Sequence, residues 1–128
     1  MNSKKDIRPT IPQVLINNDT SQEERFQNTV LRSILKMQHE LLLMLVMSHL
    51  QKKRIDIMDL PTVKKEQTLR NVLKSDMALK NELRGMIIGQ MEIEEFKEYL
   101  LLQVEMNKRI TNMLTGRIIN GIIELEIK

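Results

Sequence analysis

HELLLMLVMSHL, residues 39–50, sets seven consecutive apolar side chains, Leu41 to Met47, between the only two histidines of the chain. Three readings compete for it: a membrane insert, a metal-binding helix and a packed core. A bilayer span needs about 20 mostly apolar residues. This run has seven, flanked by Lys36, His39 and Glu40 on one side and by His49, Lys52, Lys53 and Arg54 on the other. Nor does a leader open the chain, because Lys4 and Lys5 run into Asp6, Arg8 and Pro9 rather than into an apolar stretch. The expectation is a cytoplasmic protein with no membrane span.

On a helix, ten residues at about 100° each place His49 roughly 80° around the axis from His39 and about 15 Å along it. One ion cannot reach both, since zinc needs imidazole nitrogens at about 2.0–2.1 Å. A di-metal bundle needs a Glu three residues before each His, and those positions hold Lys36 and Val46. No metal site is predicted. Packing remains: a helix apolar on all sides is buried on all sides. In 128 residues that burial needs either the rest of the chain or a second copy, and the reading predicts a homodimer.

The composition agrees with helices. Only Phe26, Phe96 and Tyr99 are aromatic, while Leu, Ile and Met dominate, side chains that lose little rotamer freedom in a helix. Cysteine is absent, which removes disulfides, thiolate zinc sites and cysteine nucleophiles together. Residues 22–54 hold six bases and three acids, and residues 62–75 four bases and one acid, whereas residues 90–128 hold seven acids and five bases. That asymmetry permits a basic face, but without the aromatic interleaving on which bases stack.

Outward from the run, the chain is predicted to be all-α, a long-short-short-long helical bundle over residues 21–128 with an extended N-terminal arm over 1–20. Pro9 and Pro12 fix an extended arm, with Ile7, Ile11, Val14, Leu15 and Ile16 as its apolar content. Such an arm covers its own bundle or reaches a partner subunit. Ser21-Gln22-Glu23-Glu24 matches a capping box, opening a helix over about 22–53 with a seam at Val30, Ile34, Met37, Leu41 and Met44. A second helix over about 60–74, capped by Asp59, carries Leu60, Val63, Leu69, Val72 and Leu73. A third, over about 76–90 and capped by Ser75 or Asp76, carries Leu79, Leu83, Met86 and Ile87. Gly85 and Gly89 mark either close packing or a break. The last helix starts near Glu92–Glu95, with Phe96, Leu100, Val104, Met106, Ile110, Met113, Leu114 and Ile118 on its apolar face. Asn120-Gly121 is a hairpin signal, yet helix to about 122 or beyond is favoured, since 117–119 is too short for a partner strand.

At RPTIP (8–12), FQN (26–28), QHELL (38–42), ELRGMIIG (82–89) and NKRI (107–110) the chain resembles a group of short, all-helical bacterial proteins commonly labelled glyoxalase. The resemblance spans nearly the whole chain and implies a lyase of the glyoxalase kind. Enzymes of the lactoylglutathione lyase type are built from βαβββ modules that hold a metal on strand residues.

Phosphate loops, dinucleotide fingerprints and nucleophile elbows are absent, and no cofactor is implied. The first reading is therefore a non-catalytic interaction or regulatory module that self-associates. Its partner contacts are expected at Arg8, Ile11 and Pro12 of the arm and at Lys52, Lys53 and Arg54. As an enzyme with a site between helices, the chain would use His39 and Glu40, beside Gln38, for acid–base work. As an RNA- or ribosome-associated protein, it would use Lys52 to Arg54 with Lys64, Lys65 and Arg70. Met44, Met47, Met86, Met91, Met106 and Met113 either fill the core or line a groove.

Overall fold

The computed structural model describes residues 21–125; the arm 1–20, with Arg8, Ile11 and Pro12, and residues 126–128 lie outside the described residues. The described chain is all-α. In order come α1 (Gln22–Phe26), a π-helical turn (Gln27–Leu31), α2 (Arg32–Lys52), a 3₁₀ turn (Ile57–Asp59), α3 (Thr62–Ser75), α4 (Met77–Ile88), α5 (Ile93–Leu101) and α6 (Gln103–Glu124).

The helix ends follow local hydrogen-bond chemistry. Ser21 Oγ accepts from the Glu24 backbone N–H at 3.1 Å, so the predicted N-cap stands. A π turn follows where the Thr29 hydroxyl donates to the Arg25 carbonyl at 2.6 Å. That side chain competes for an acceptor of the helical ladder, and the Arg32 N–H then reaches back five residues to the Gln27 carbonyl. Asp59 does not cap α3. It closes the 3₁₀ turn, and Pro61 stands at the N-cap instead. Glu92 and Glu95 form a reciprocal capping box at α5.

The predicted long last helix breaks at Leu102, whose N–H is shared between the Glu98 and Tyr99 carbonyls at 3.3 and 3.1 Å. Tyr99 Oη donates to Asn107 Oδ1 at 2.6 Å across this break, tying the end of α5 to the start of α6. Helix continues to Glu124, with no strand among the described residues. The Asn120-Gly121 pair is therefore helical.

The described residues divide into two compact units, one comprising residues 21–38 and 84–111 and the other 39–83 and 112–125. In the first, Arg109 Nη1 donates to Gln27 Oε1 at 2.9 Å and Gln22 Nε2 to Glu98 Oε1 at 3.2 Å. These bonds hold the α1 end beside α5 and α6. Phe26, Val30, Leu31, Ile34, Leu35, Ile87, Met91, Tyr99, Met106 and Ile110 make up that unit's buried apolar residues. In the second, Leu42, Val46, Leu50, Leu69, Leu73, Leu79, Leu83, Leu114, Ile118 and Ile122 are buried.

One rule orders the buried positions, a step of four. Phe26, Val30, Ile34, Gln38, Leu42, Val46 and Leu50 are all buried. So are Lys65, Leu69 and Leu73; Leu79, Leu83 and Ile87; Met91, Glu95 and Tyr99; and Met106, Ile110, Leu114, Ile118 and Ile122. These are the i±4n ridges along which helices pack. The alternating seam read from the sequence fails on α2, since Leu41 is 54% exposed and Met44 67%. Val63 on α3 and Phe96, Leu100 and Val104 on the last segment also face outward rather than into the core. Lys65 and Glu95 take the inward slots that an apolar-only count would skip.

The glycines divide by what surrounds them. Gly121 lets α6 approach α2: a Cβ there would lie 2.9 and 3.0 Å from the Leu43 methyls and 3.1 Å from His39 Cε1. Gly89 follows the end of α4 and donates its N–H to the Gly85 carbonyl at 2.9 Å, so the Gly85–Gly89 pair marks a break. Gly116 has open space around its missing side chain. Gly116→Ala should therefore raise stability by about 0.5–1 kcal/mol through helix propensity. Gly121→Leu should lower it by roughly 1–3 kcal/mol through overpacking. Urea unfolding of both variants checks the pair, and a Gly121→Leu protein as stable as the parent would contradict the close approach of α6 to α2.

Candidate functional site

Two side-chain constellations fall on α2, one polar and one apolar. The polar one gathers at Asp76, the residue between α3 and α4. Its N–H closes α3 on the Val72 carbonyl at 2.8 Å, and its Oδ1 caps α4 by accepting from the Leu79 N–H at 3.0 Å. Its Oδ2 meets Lys53 Nζ at 2.8 Å and His49 Nδ1 at 3.6 Å, while His49 Nε2 lies 3.4 Å from Glu82 Oε2. The Lys53 ammonium, followed by the Leu79 N–H, holds the Asp76 carboxyl below its ordinary pKa. One residue thus ends one helix, starts the next and fastens both to α2. At Asp56 the shift is opposite: a shared hydrogen bond and like charge with Asp59 raise its pKa.

His39 does not join this cluster. Its Nδ1 lies 3.3 Å from Arg117 Nη1, and its ring edges the Gly121 contact. Glu40 is exposed and Gln38 buried, so the three side chains considered for acid–base work are not presented together. No cluster of His, Cys, Asp or Glu among the described residues could hold a metal ion.

The basic candidates are dispersed in role. Lys53 is committed to Asp76, and Arg70 pairs with Glu66 at 3.0 Å. Lys65 is fully buried and so is not presented to a phosphate backbone. Lys52, Arg54 and Lys64 are exposed, and Arg54 alone among non-glycine described residues has a left-handed backbone, with φ 58°.

The apolar constellation is a groove of about 460 Å³ lined by Glu40, Leu43, Met44, Met47, Ser48, Gln51 and Leu125. The α2 members recur at 40, 43/44, 47/48 and 51, one face followed for three turns, about 16 Å. Exposed Leu41 adjoins it. The groove is the outer side of the apolar run, and no Asp, Glu, Lys or Arg falls between Glu40 and Gln51 along α2. Of the six methionines considered for a groove, Met44 and Met47 line this one, while Met91 and Met106 are buried. No described helix is long and apolar enough to cross a membrane.

Comparison of the chain with protein-family models, curated proteins and solved structures finds no match.

Asp76 gives a prediction with a definite sign. Its pKa is depressed in the folded protein, so its contribution is fully present above the unfolded value near 3.8 and is lost as pH falls through the lower folded value. Asp76→Ala should cost about 0.5–2 kcal/mol through loss of the cap, and Asp76→Asn distinctly less, because Asn also caps. Unfolding followed from pH 7 to pH 2 should show a smaller acid-induced loss for Asp76→Asn than for the parent. Equal losses would exclude the Lys53–Asp76 contact as a source of stability.

Proposed function

We propose that the protein is a non-catalytic interaction module that self-associates through the outer face of α2, two copies packing antiparallel across the groove. The observation that carries this reading is the groove face of α2, where exposed Met44 and half-buried Met47 stand with exposed Leu125, and Leu41 on the same helix is exposed as well. An apolar row of this kind on a helix is covered in working proteins, because each buried side chain contributes roughly 1.5–3 kcal/mol. A two-fold contact is self-complementary. Centred near Val46, antiparallel helices set Met44 of one copy against Ser48 of the other. The same register brings exposed Glu40 toward exposed Lys52 of the partner at both ends. The absence of charge in the middle and opposite charges at the ends favour this register.

The exposed Arg54, two residues beyond the end of α2, is the remaining contact for a further protein partner. The catalytic role of His39 and Glu40 has no comparable support, since His39 faces a guanidinium and Glu40 edges an apolar groove. Of the basic residues considered for nucleic acid, Lys65 is buried and Lys53 and Arg70 are paired within the chain, which leaves Lys52, Arg54 and Lys64 exposed.

Light scattering of the full chain at high micromolar concentration should return twice the 15.1 kDa chain mass. Met44→Glu, at a position 67% exposed in one copy, should return the single chain mass with unchanged helix content; a monomeric parent protein would exclude the reading. The charge register has its own check. Glu40→Lys and Lys52→Glu should each weaken the dimer, and the double exchange should restore it, each pair contributing about 0.2–1 kcal/mol. Additive weakening in the double variant would rule out the antiparallel register.

A further inference from the structure

A second outward apolar row lies in the other unit and has no role in self-association through α2. Ile93, Phe96, Leu100, Leu101 and Val104 are 74%, 38%, 48%, 83% and 75% exposed. On α5 the spacing of three, four and one residues puts Ile93, Phe96, Leu100 and Leu101 on neighbouring outward positions, Val104 follows on the first turn of α6, and Phe96 is braced by stacking on Tyr99 at 5.8 Å between ring centroids. The inward slots of the same segment are taken by Met91, Glu95, Tyr99 and Met106, so among the described residues the outward row is left uncovered.

Charge says what can cover it. From Glu92 to Glu105 the segment carries five carboxylates and one lysine. Lys97 pairs with Glu94 at 3.4 Å, Glu98 accepts from the neutral amide of Gln22, and Glu105 pairs with Arg109 at 3.0 Å. The rim is therefore net negative. Another copy of the same face, a phosphate backbone or an anionic membrane would meet repulsion there, whereas a cationic partner is attracted. An apolar row about three turns long is the size of feature that reads side chains at i, i+3 or i+4, and i+7 of a bound helix.

We propose that this face docks a basic amphipathic helix of a partner protein, its apolar side laid along Ile93, Phe96, Leu100, Leu101 and Val104 and its Lys or Arg residues facing Glu94 and Glu98. The residues are separate from those of the α2 groove, so either surface can fail without the other.

The test uses the full-length protein and two fluorescent designed peptides, followed by anisotropy. One has leucines at helical spacing with lysines on the flanks; the other replaces every lysine by glutamate. The lysine peptide should bind saturably and the glutamate peptide should not. Leu101→Ser with Val104→Ser, both at strongly exposed positions, should weaken binding at least about tenfold, the scale of a residue that anchors an interface. Glu94→Gln with Glu98→Gln should weaken it and flatten its salt dependence, and Met44→Ser should leave it unchanged. Equal affinity for both peptides, or unchanged affinity in the Leu101→Ser, Val104→Ser variant, would overturn the proposal. So would conversion of that variant to a smaller oligomer, which would make the face a contact between copies.

Discussion

Packing along every fourth residue is the constraint from which the rest of this structure follows. A step of four advances about 400° on an α-helix, so the inward row rolls around the axis by about 40° at each step instead of keeping to one side. Along the long helix the row runs from Phe26 to Leu50 without a gap, and the side that is buried at Ile34 is not the side that is buried at Leu50. A helix whose inward face rolls needs apolar residues on most of its sides where the roll occurs. That accounts for seven of them in succession at Leu41 to Met47. It also leaves Leu41 and Met44 outside, and the groove is the surface that remains.

The same rule explains the buried polar residues. Gln38, Lys65 and Glu95 each occupy a slot of a four-step row. Glu95 is satisfied there, its Oε1 accepting from the Glu92 N–H at 2.8 Å, and a lysine such as Lys65 can lay its long apolar stem along neighbouring leucines. On α5 the inward slot is held by Glu95, and Phe96 one position on stands partly at the surface in the second outward row. Asp76 supplies the complementary device at a corner, where local capping and one ammonium contact fix how α3 meets α4.

Features resting on near-neighbour chemistry were legible in the sequence. The cap at Ser21, the pair Ser75 and Asp76 from which the α4 cap comes, and a helix start near Glu92–Glu95 are read from residues that act within one turn, although the same reasoning misassigns Asp59 as the cap of α3. Helix is read from the Leu, Ile and Met palette. The inward face was less legible, because a hydrophobic pattern counts residue types and passes over slots filled by Gln, Lys or Glu. Hence Phe96, Leu100 and Val104 were assigned inward for being apolar, and Val63 likewise. The break at Leu102 carries no glycine or proline to announce it. Gly121 resembles a turn residue in sequence, but its job is steric and involves Leu43 and His39 far along the chain. Of the candidate sites, Lys53 proved to be an internal anchor and Lys65 a core residue. The α2 groove was legible only as a run too apolar for one chain to bury.

Because the chain has no cysteine, a single Lys36→Cys substitution, at an exposed position of α2 outside the groove, carries one nitroxide label without altering the proposed contact and offers the most direct measurement. In an antiparallel pair centred near Val46 the two labels stand about 30 Å apart along the helix axis, so pulsed dipolar spectroscopy should give one narrow distance near that value that disappears on dilution with excess unlabelled protein. A label at exposed Lys74 serves as the comparison site. No dipolar coupling at position 36 under conditions where the protein is concentrated would contradict self-association through this face.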